Sequence, residues 1–362
     1  MIQNYKVKAR FILSAFILGT IVFGCAPKVE IQNPYEGVDW QSLNQYKANL
    51  HTHTTRSDGR MSPQDVVDSY QELGYKILAL TDHNEVTFPW TSFADMKASE
   101  GSEKRVERGD IGSEALAYEN RDPEQMEMLA IQGNEVSSPH HIGSYFSDYQ
   151  KQPGEEKVTL NEIGEKNGLV LLNHPGRYTG KNPEKYNVDW YVDIFNSYDY
   201  VTGMEVYNQG DRYSNDRELW DAVLAKTMPG RPVWGYSNDD FHVGEERLGR
   251  NWNVFLMPEL SEVALQEAMR DGHFFYVYAV NGHNGPKVPA IKTVNVDHKK
   301  GIISIDVTGQ DSVRWISAGQ VVSRGKTIKL TEYPDVSDYV RAEIYGPESI
   351  IGMQPFGIKT QE

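Results

Sequence analysis

Asn49-Leu50-His51-Thr52-His53-Thr54-Thr55-Arg56-Ser57-Asp58-Gly59 is the stretch that decides how this chain is read. It closes a short apolar-leaning run, Tyr46 to Leu50, which predicts a strand. Successive side chains of a strand point to opposite faces, so His51 and His53 share a face and can hold one ion. Ser57-Asp58-Gly59 is turn chemistry and puts Asp58 on the loop that leaves the strand. Imidazole together with carboxylate suits zinc, manganese or iron better than calcium. A lone pair of histidines is weak evidence, and its weight depends on the rest of the chain.

The same plan recurs downstream. Ser62 caps a predicted helix with Pro63 in its first turn and Asp65 three residues after the cap. Val66, Val67, Tyr70 and Leu73 keep helical period, and Gly74 ends it. Lys76 to Leu80 predicts a buried strand ending in Thr81-Asp82-His83-Asn84, and Leu129 to Gln132 a short strand ending at Gly133-Asn134-Glu135. Thr159 to Glu162 has the form of a capping box, opening a short helix that stops at Gly168. Leu169 to Asn173 is an apolar run that ends at His174-Pro175-Gly176-Arg177. Val201 to Tyr207 predicts a strand holding Glu205, and Asp216 to Lys226 a helix. Pro232 to Ser237 predicts a strand that runs into Asn238-Asp239-Asp240-Phe241-His242, and Ser261 to Arg270 a helix ended by Gly272. Strands alternating with helices predict an α/β fold with a parallel sheet. Polar groups at the carboxyl ends of successive strands are what a closed α/β barrel offers an active site.

Other segments depart from this plan. Residues 95–127 are charged and aperiodic, an insertion that is either a solvated excursion or a lid. Residues 289–362 are short alternating runs separated by Gly, Asp and Ser, which predict a small antiparallel β-sandwich. The body of the protein is then 40–288. At the start, Lys6, Lys8 and Arg10 precede an apolar run from Phe11 to Phe23, which is too short to span a bilayer as a helix. Gly24-Cys25 follows, so residues 1–24 read as a signal peptide with a lipobox-like end. Cys25 is the only cysteine, which suits a lipid-bearing N-terminus on a tether over 25–39. The expectation is an exported lipoprotein anchored in a bacterial cell envelope. A formal charge of −15 argues against a binder of long nucleic acid, which needs a basic stripe. It leaves room for a small phosphorylated substrate, because bound ions reverse the local sign.

Collected in order, the strand-end residues with metal-ligand chemistry are His51, His53, Asp58, His83, Glu135, His141, His174, Asp240 and His242. So many ligands suit two or three ions rather than one.

These motifs, His51-Thr52-His53, Ser57-Asp58-Gly59, Thr81-Asp82-His83-Asn84, Gly133-Asn134-Glu135, His141-Ile142-Gly143, Asn173-His174-Pro175 and Asp240-Phe241-His242, resemble the successive motifs of the PHP (polymerase and histidinol phosphatase) metallophosphoesterases. The resemblance runs from Tyr46 to Val280 and keeps the family's order. It implies a distorted seven-stranded, TIM-like βα barrel. It also implies two or three divalent transition-metal ions (Mn, Fe or Zn) on all nine residues, and hydrolysis of a phosphate ester by a hydroxide held between the ions. Glu135 would bridge ions because a carboxylate has two oxygens, and Glu135 and Asp240 would be the catalytic carboxylates. Arg177 could grip a phosphate oxygen. Arg247, Tyr207 and Asn208 are candidates for substrate contact, and Asp82 either orients a ligand imidazole or caps a turn. The small substrate could be a nucleotide, a sugar phosphate or a phosphodiester. Rival readings are a non-phosphate, amidohydrolase-like metallohydrolase, a non-catalytic metal-bearing binding lipoprotein, and a scaffold built around the C-terminal β region.

Overall fold

The structure, a computed structural model, describes residues 28–137, 139–150, 154–244 and 247–361. The expected signal segment and Cys25 lie outside the described residues. In chain order the elements are β1 (Lys28–Gln32), β2 (Asn44–Asn49), α1 (Pro63–Glu72), β3 (Ile77–Ala79), α2 (Glu100–Glu107), β4 (Leu129–Ile131), β5 (Gly133–Ser137) and β6 (His141–Tyr145). There follow α3 (Glu156–Glu165), β7 (Leu169–Leu172), α4 (Pro175–Lys181), α5 (Val188–Ser197), β8 (Val201–Asn208), α6 (Asn215–Thr227) and β9 (Trp234–Asn238). Next come β10 (Asn251–Met257), α7 (Glu262–Asp271) and β11 (Phe274–Ala279). The tail holds β12 (Ala290–Asp297), β13 (Ile302–Thr308), β14 (Ser312–Ser317), β15 (Gln320–Arg324), β16 (Thr327–Lys329), β17 (Asp338–Gly346), β18 (Ser349–Met353) and β19 (Phe356–Gln361). The fold is mixed α/β.

Local chemistry explains the best-read elements. The Ser62 hydroxyl accepts from the Asp65 amide at the start of α1, and Gly74 takes φ +77° just past its end. Ser261 caps α7 in the same way, and Gly272 ends it at φ +78°. One helix differs from expectation. α3 begins at Glu156, so Thr159 lies inside it and does not cap it. Glu156 is held there by Lys185 and Tyr186, contacts that no local pattern announces.

The strands form two main sheets. One runs β1-β19-β17-β18-β11-β10-β2-β3-β4, with β14 on β17 and β15 on β14; the other runs β5-β6-β7-β8-β9. β2, β3 and β4 are parallel, as are β7, β8 and β9. β6 is antiparallel to both its neighbours, so the sheet is not parallel throughout as expected. A continuous closed barrel is not formed among the described residues. Instead the sheets meet at two seams, the isolated parallel bridges Thr52↔Phe241 and His83↔Glu135. An apolar interior that includes Ala48, Leu50, Ile77, Leu171, Tyr236 and Phe255 packs between them. Each such large side chain contributes about 1.5–3 kcal/mol by leaving water.

The tail does not fold as a separate sandwich. β18 pairs with β11, and one apolar cluster joins Val66, Tyr70 and Val254 to Ile303, Trp315 and Ile344. Only β12, β13 and β16 form a small sheet of their own. Lys28–Gln32, within the expected tether, pairs instead with β19. Arg341 of β17 reaches α6, where Nε and Nη2 donate to Asp221 at 2.8 and 2.7 Å, and its Nη1 donates to Glu343 at 2.7 Å.

Candidate metal centre

Both seams are made by motif residues. At one, the His-x-His and Asp-x-His segments lie side by side. The His53 amide donates to the Phe241 carbonyl and the Asp240 amide donates to the His51 carbonyl, each at 2.9 Å. Thr52 and Phe241 form the bridge between them, and His51, His53 and Asp240 converge beside it. His51 Nε2 and His53 Nε2 are 3.1 Å apart, and Asp240 Oδ1 stands 3.3 and 3.1 Å from them. At the other seam His83 is bridged to Glu135. Glu135 Oε2 lies 3.1 Å from His83 Nδ1; its Oε1 lies 3.1 Å from both His141 Nδ1 and His174 Nε2 and 3.2 Å from His51 Nε2. Asp58 closes the open side, 3.3 Å from His242 and 3.5 Å from His53 and His83. All nine expected ligands therefore come together. They form four overlapping groups: His53-Asp58-His83-His242, His51-Glu135-His174, His51-His53-Asp240 and His83-Glu135-His141.

The donor set fits divalent transition-metal ions. Nitrogen and oxygen ligands sit about 2.0–2.2 Å from such an ion, which puts neighbouring donors about 2.9 Å apart in octahedral and about 3.4 Å apart in tetrahedral coordination. Carboxylate-to-imidazole separations from 3.1 to 3.5 Å match those polyhedron edges. Asp240 Oδ1 and His141 Nδ1 are buried, point into the cluster and have no hydrogen-bond partner. An orphaned buried polar atom costs about 1–3 kcal/mol, a cost that ligation removes.

The electrostatics agree. Burial raises the carboxyl groups of Glu135 and Asp240, but the imidazoles around them outweigh it and hold both below the usual carboxylate range. Asp58 is held low in the same way, by His242 and His83 against its own desolvation. Among the imidazoles, burial and the charge of His242 push His53 down to about 4, whereas Asp58 and Glu135 overcome burial and lift His83 to about 10. The carboxylates are thus ionised, as ligands must be.

Supporting contacts fix the ligand rings. Glu205 is fully buried and accepts from His51 Nδ1 and the His174 amide at 2.9 Å, from Asn208 at 2.8 Å and from Asn238 at 3.0 Å. Its grip turns His51 Nε2 toward the cluster, as carboxylates behind metal-binding histidines commonly do. His174, Gln209 and Asp240 carry left-handed backbone at φ 30°, 47° and 45°, so three strand-end turns around the centre are unusual for side-chain-bearing residues. Asp82 caps a turn rather than orienting an imidazole: it accepts from the Thr54 amide and hydroxyl, Ser57 and Thr87 at 2.6–2.8 Å. The insertion, mostly exposed or part-exposed, is tied to the centre through α2. Arg105 of α2 donates to the carbonyls of Ser57 and Gly59 at 2.9 and 2.7 Å, one on each side of Asp58.

A cavity of about 370 Å³ opens over the cluster, lined by Asp58, His83, His141, His174, Asp240 and His242, and also by Arg177, Lys181, Arg212, Gln209 and Tyr213. Arg177 is where the sequence put it. Tyr207 is not: its ring stacks on Tyr278 at 5.0 Å and carries Arg217 at 4.2 Å. A β-bulge between Glu205 and Tyr207 breaks strand alternation, so Glu205 faces the centre and Tyr207 enters the apolar core. Asn208 is buried behind Glu205, and Arg247 is an exposed turn residue that does not line the cavity. Two neighbours of expected ligands point elsewhere. His140 sits in an aromatic cage with Tyr178 and Trp190, and Asp239 accepts from Tyr70 and from the amides of Gly249, Arg250 and Asn251. Lys181, Arg212, Gln209 and Arg105 escaped the sequence reading. Each lies on a loop or helix whose local pattern is that of an ordinary solvated surface.

The chain is similar in structure to a two-domain protein from Bacteroides vulgatus described as containing a PHP-like metal-dependent phosphoesterase: 17% identity, 90% of each chain covered, TM-score 0.50. That likeness establishes a shared fold. Weaker likenesses are to a protein from Bifidobacterium adolescentis described as a metal-dependent phosphoesterase (15% identity, 54% of this chain and 87% of that one, TM-score 0.34) and to the lesion-specific endonuclease Q of Pyrococcus furiosus (15%, 63% and 56%, TM-score 0.38). No curated protein matches the chain. Residues 49–201, which carry seven of the nine clustered ligands, match the PHP domain family.

Proposed function

We propose that the protein is a metal-dependent phosphoesterase acting on a small phosphorylated substrate. The observation that carries the reading is the convergence of nine ligand side chains around Glu135, beneath a cavity that also presents Arg177, Lys181 and Arg212. Zinc, manganese or iron, when bound, would activate a water and polarise the phosphoryl group. The chain's own residues do the rest. Glu135 touches members of all four groups and keeps them in register, while Asp240 holds His51 and His53 together. Arg177 offers a planar donor fork to phosphoryl oxygens. Glu205 and Arg105 keep His51 and Asp58 from drifting. We read the ring β2, β3, β4–β5, β6, β7, β8 and β9 as a seven-stranded barrel interrupted at its two seams, with residues 289–362 as an appended β region. We further read Cys25 as the lipid-bearing residue of an exported protein. A Cys25→Ser change then moves the protein from the membrane fraction to the soluble one.

The test is phosphate release from nucleotides, sugar phosphates and a generic aryl phosphate with Mn added, beside an Asp240→Ala protein. Release that the substitution abolishes is the expected result. No release from folded protein carrying two or three ions sinks the phosphoesterase reading and favours non-phosphate hydrolysis.

A further inference from the structure

α4 presents Arg177 and Lys181 four residues apart, hence on one face of the helix, and both line the cavity. Arg212, from the turn between β8 and α6, lines it too. Among the described residues none of these three cations forms an ion pair. The recorded side-chain contacts of Arg177 and Arg212 are neutral: the ring of Tyr178 at 5.7 Å for Arg177, and Gln209 and the ring of Tyr213 for Arg212. Elsewhere the chain pairs its surface cations freely, as with Lys157 and Asp193, Lys226 and Asp189, or Arg217 and Asp211. In a chain with 51 acidic residues, these three cations gather around one cavity and offset the three carboxylates, Asp58, Glu135 and Asp240, that also line it.

Their spread matters as much as their number. At about 1.5 Å of rise per residue, Lys181 stands about 6 Å beyond Arg177 and about 10 Å beyond His174 along α4. Arg177 lies in the first turn of α4, next to His174, and Lys181 is the last residue of the helix, one turn farther from the cluster along its axis. We infer that the cavity contains a distal anion subsite, formed by Lys181 and Arg212, and that the substrate carries a second phosphate or comparable anion beyond the one hydrolysed. Tyr213, part-exposed beside Arg212, offers its ring to whatever links the two groups. The inference rests on the phosphoesterase reading for the identity of the first group. The second group is argued from the unpaired cations alone.

The test compares direct binding of propane-1,3-bisphosphonate and propylphosphonate to the Mn-loaded full-length protein by calorimetry. The expected result is a preference of about tenfold or more for the bisphosphonate, the size of one charge-assisted contact. Lys181→Ala and Arg212→Ala each bring the ratio close to one, and Lys181→Arg keeps it. No preference in the unmodified protein, failure of both compounds to bind, or a preference that survives both alanine changes overturns the subsite. Release from an aryl phosphate is measured on the same preparation. Release without a preference sinks the subsite and spares the hydrolase. A preference without release does the opposite.

Discussion

His51 and Glu135 are 0% and 1% exposed, whereas Asp58 is 51% exposed and its partners His83 and His242 are 23% and 25% exposed. The buried side of the cluster is braced from within the sheets: Glu205 holds His51 and the His174 amide, and Asn173 donates to Glu135 at 2.9 Å. The open side is braced from outside, by an arginine that the insertion lends to the Asp58 loop. An ion on the buried side would be enclosed by side chains that are buried and hydrogen-bonded from behind. One on the open side would sit where solvent and substrate arrive. The difference would separate a resident ion from an exchangeable one, and substitutions on the two sides should then have different consequences.

The largest effect is expected at the residue the two sides share. Glu135→Gln removes the charge that five imidazoles face, and should cost about a thousandfold or more in kcat together with at least one equivalent of metal; phosphate release and elemental analysis measure both. Asp58→Asn should weaken one ion about a hundredfold and leave the rest bound. If that change instead empties the whole centre, the two sides are not independent and the comparison breaks. Glu205→Gln keeps the shape but weakens the hold on His51, so metal affinity on the buried side should fall about 10–100-fold, read by competition with a chelating dye. Arg105→Ala should give the smallest change, about tenfold on the open-side ion alone. An equal loss on both sides would mean that α2 supports the fold at large rather than Asp58.

The side chains that cluster were legible in the sequence and most of their supports were not, for a physical reason. Coordination needs particular side-chain types, so His51-Thr52-His53 and Asp240-Phe241-His242 carry their chemistry in their letters. Support needs only a donor or acceptor in the right place. Glu205 reads as one more strand residue until the bulge beside it is seen, and strand alternation would have sent Tyr207 with it. Arg105 sits 47 residues after Asp58, on a helix whose sequence looks solvated throughout. The helices were legible where a serine cap and a closing glycine bracketed them, as in α1 and α7. α3 was misplaced because its first turn is fixed by tertiary contacts to Glu156. The reversed strand β6 had no cue either, since Ile142 to Tyr145 is short and buried whichever way it runs.

Backbone pairing between the two main sheets is one residue pair wide at each seam, and both pairs lie among the clustered ligands. Ions there would act as rivets through two plates otherwise joined by apolar contact and by buried side-chain hydrogen bonds such as those of Asn253 with Ser237, and the free energy of ligation would become free energy of folding. The apoprotein would then be the form that proteases find first. Metal supply would set how long each copy survives, and the cell would keep the protein in proportion to its capacity to load it.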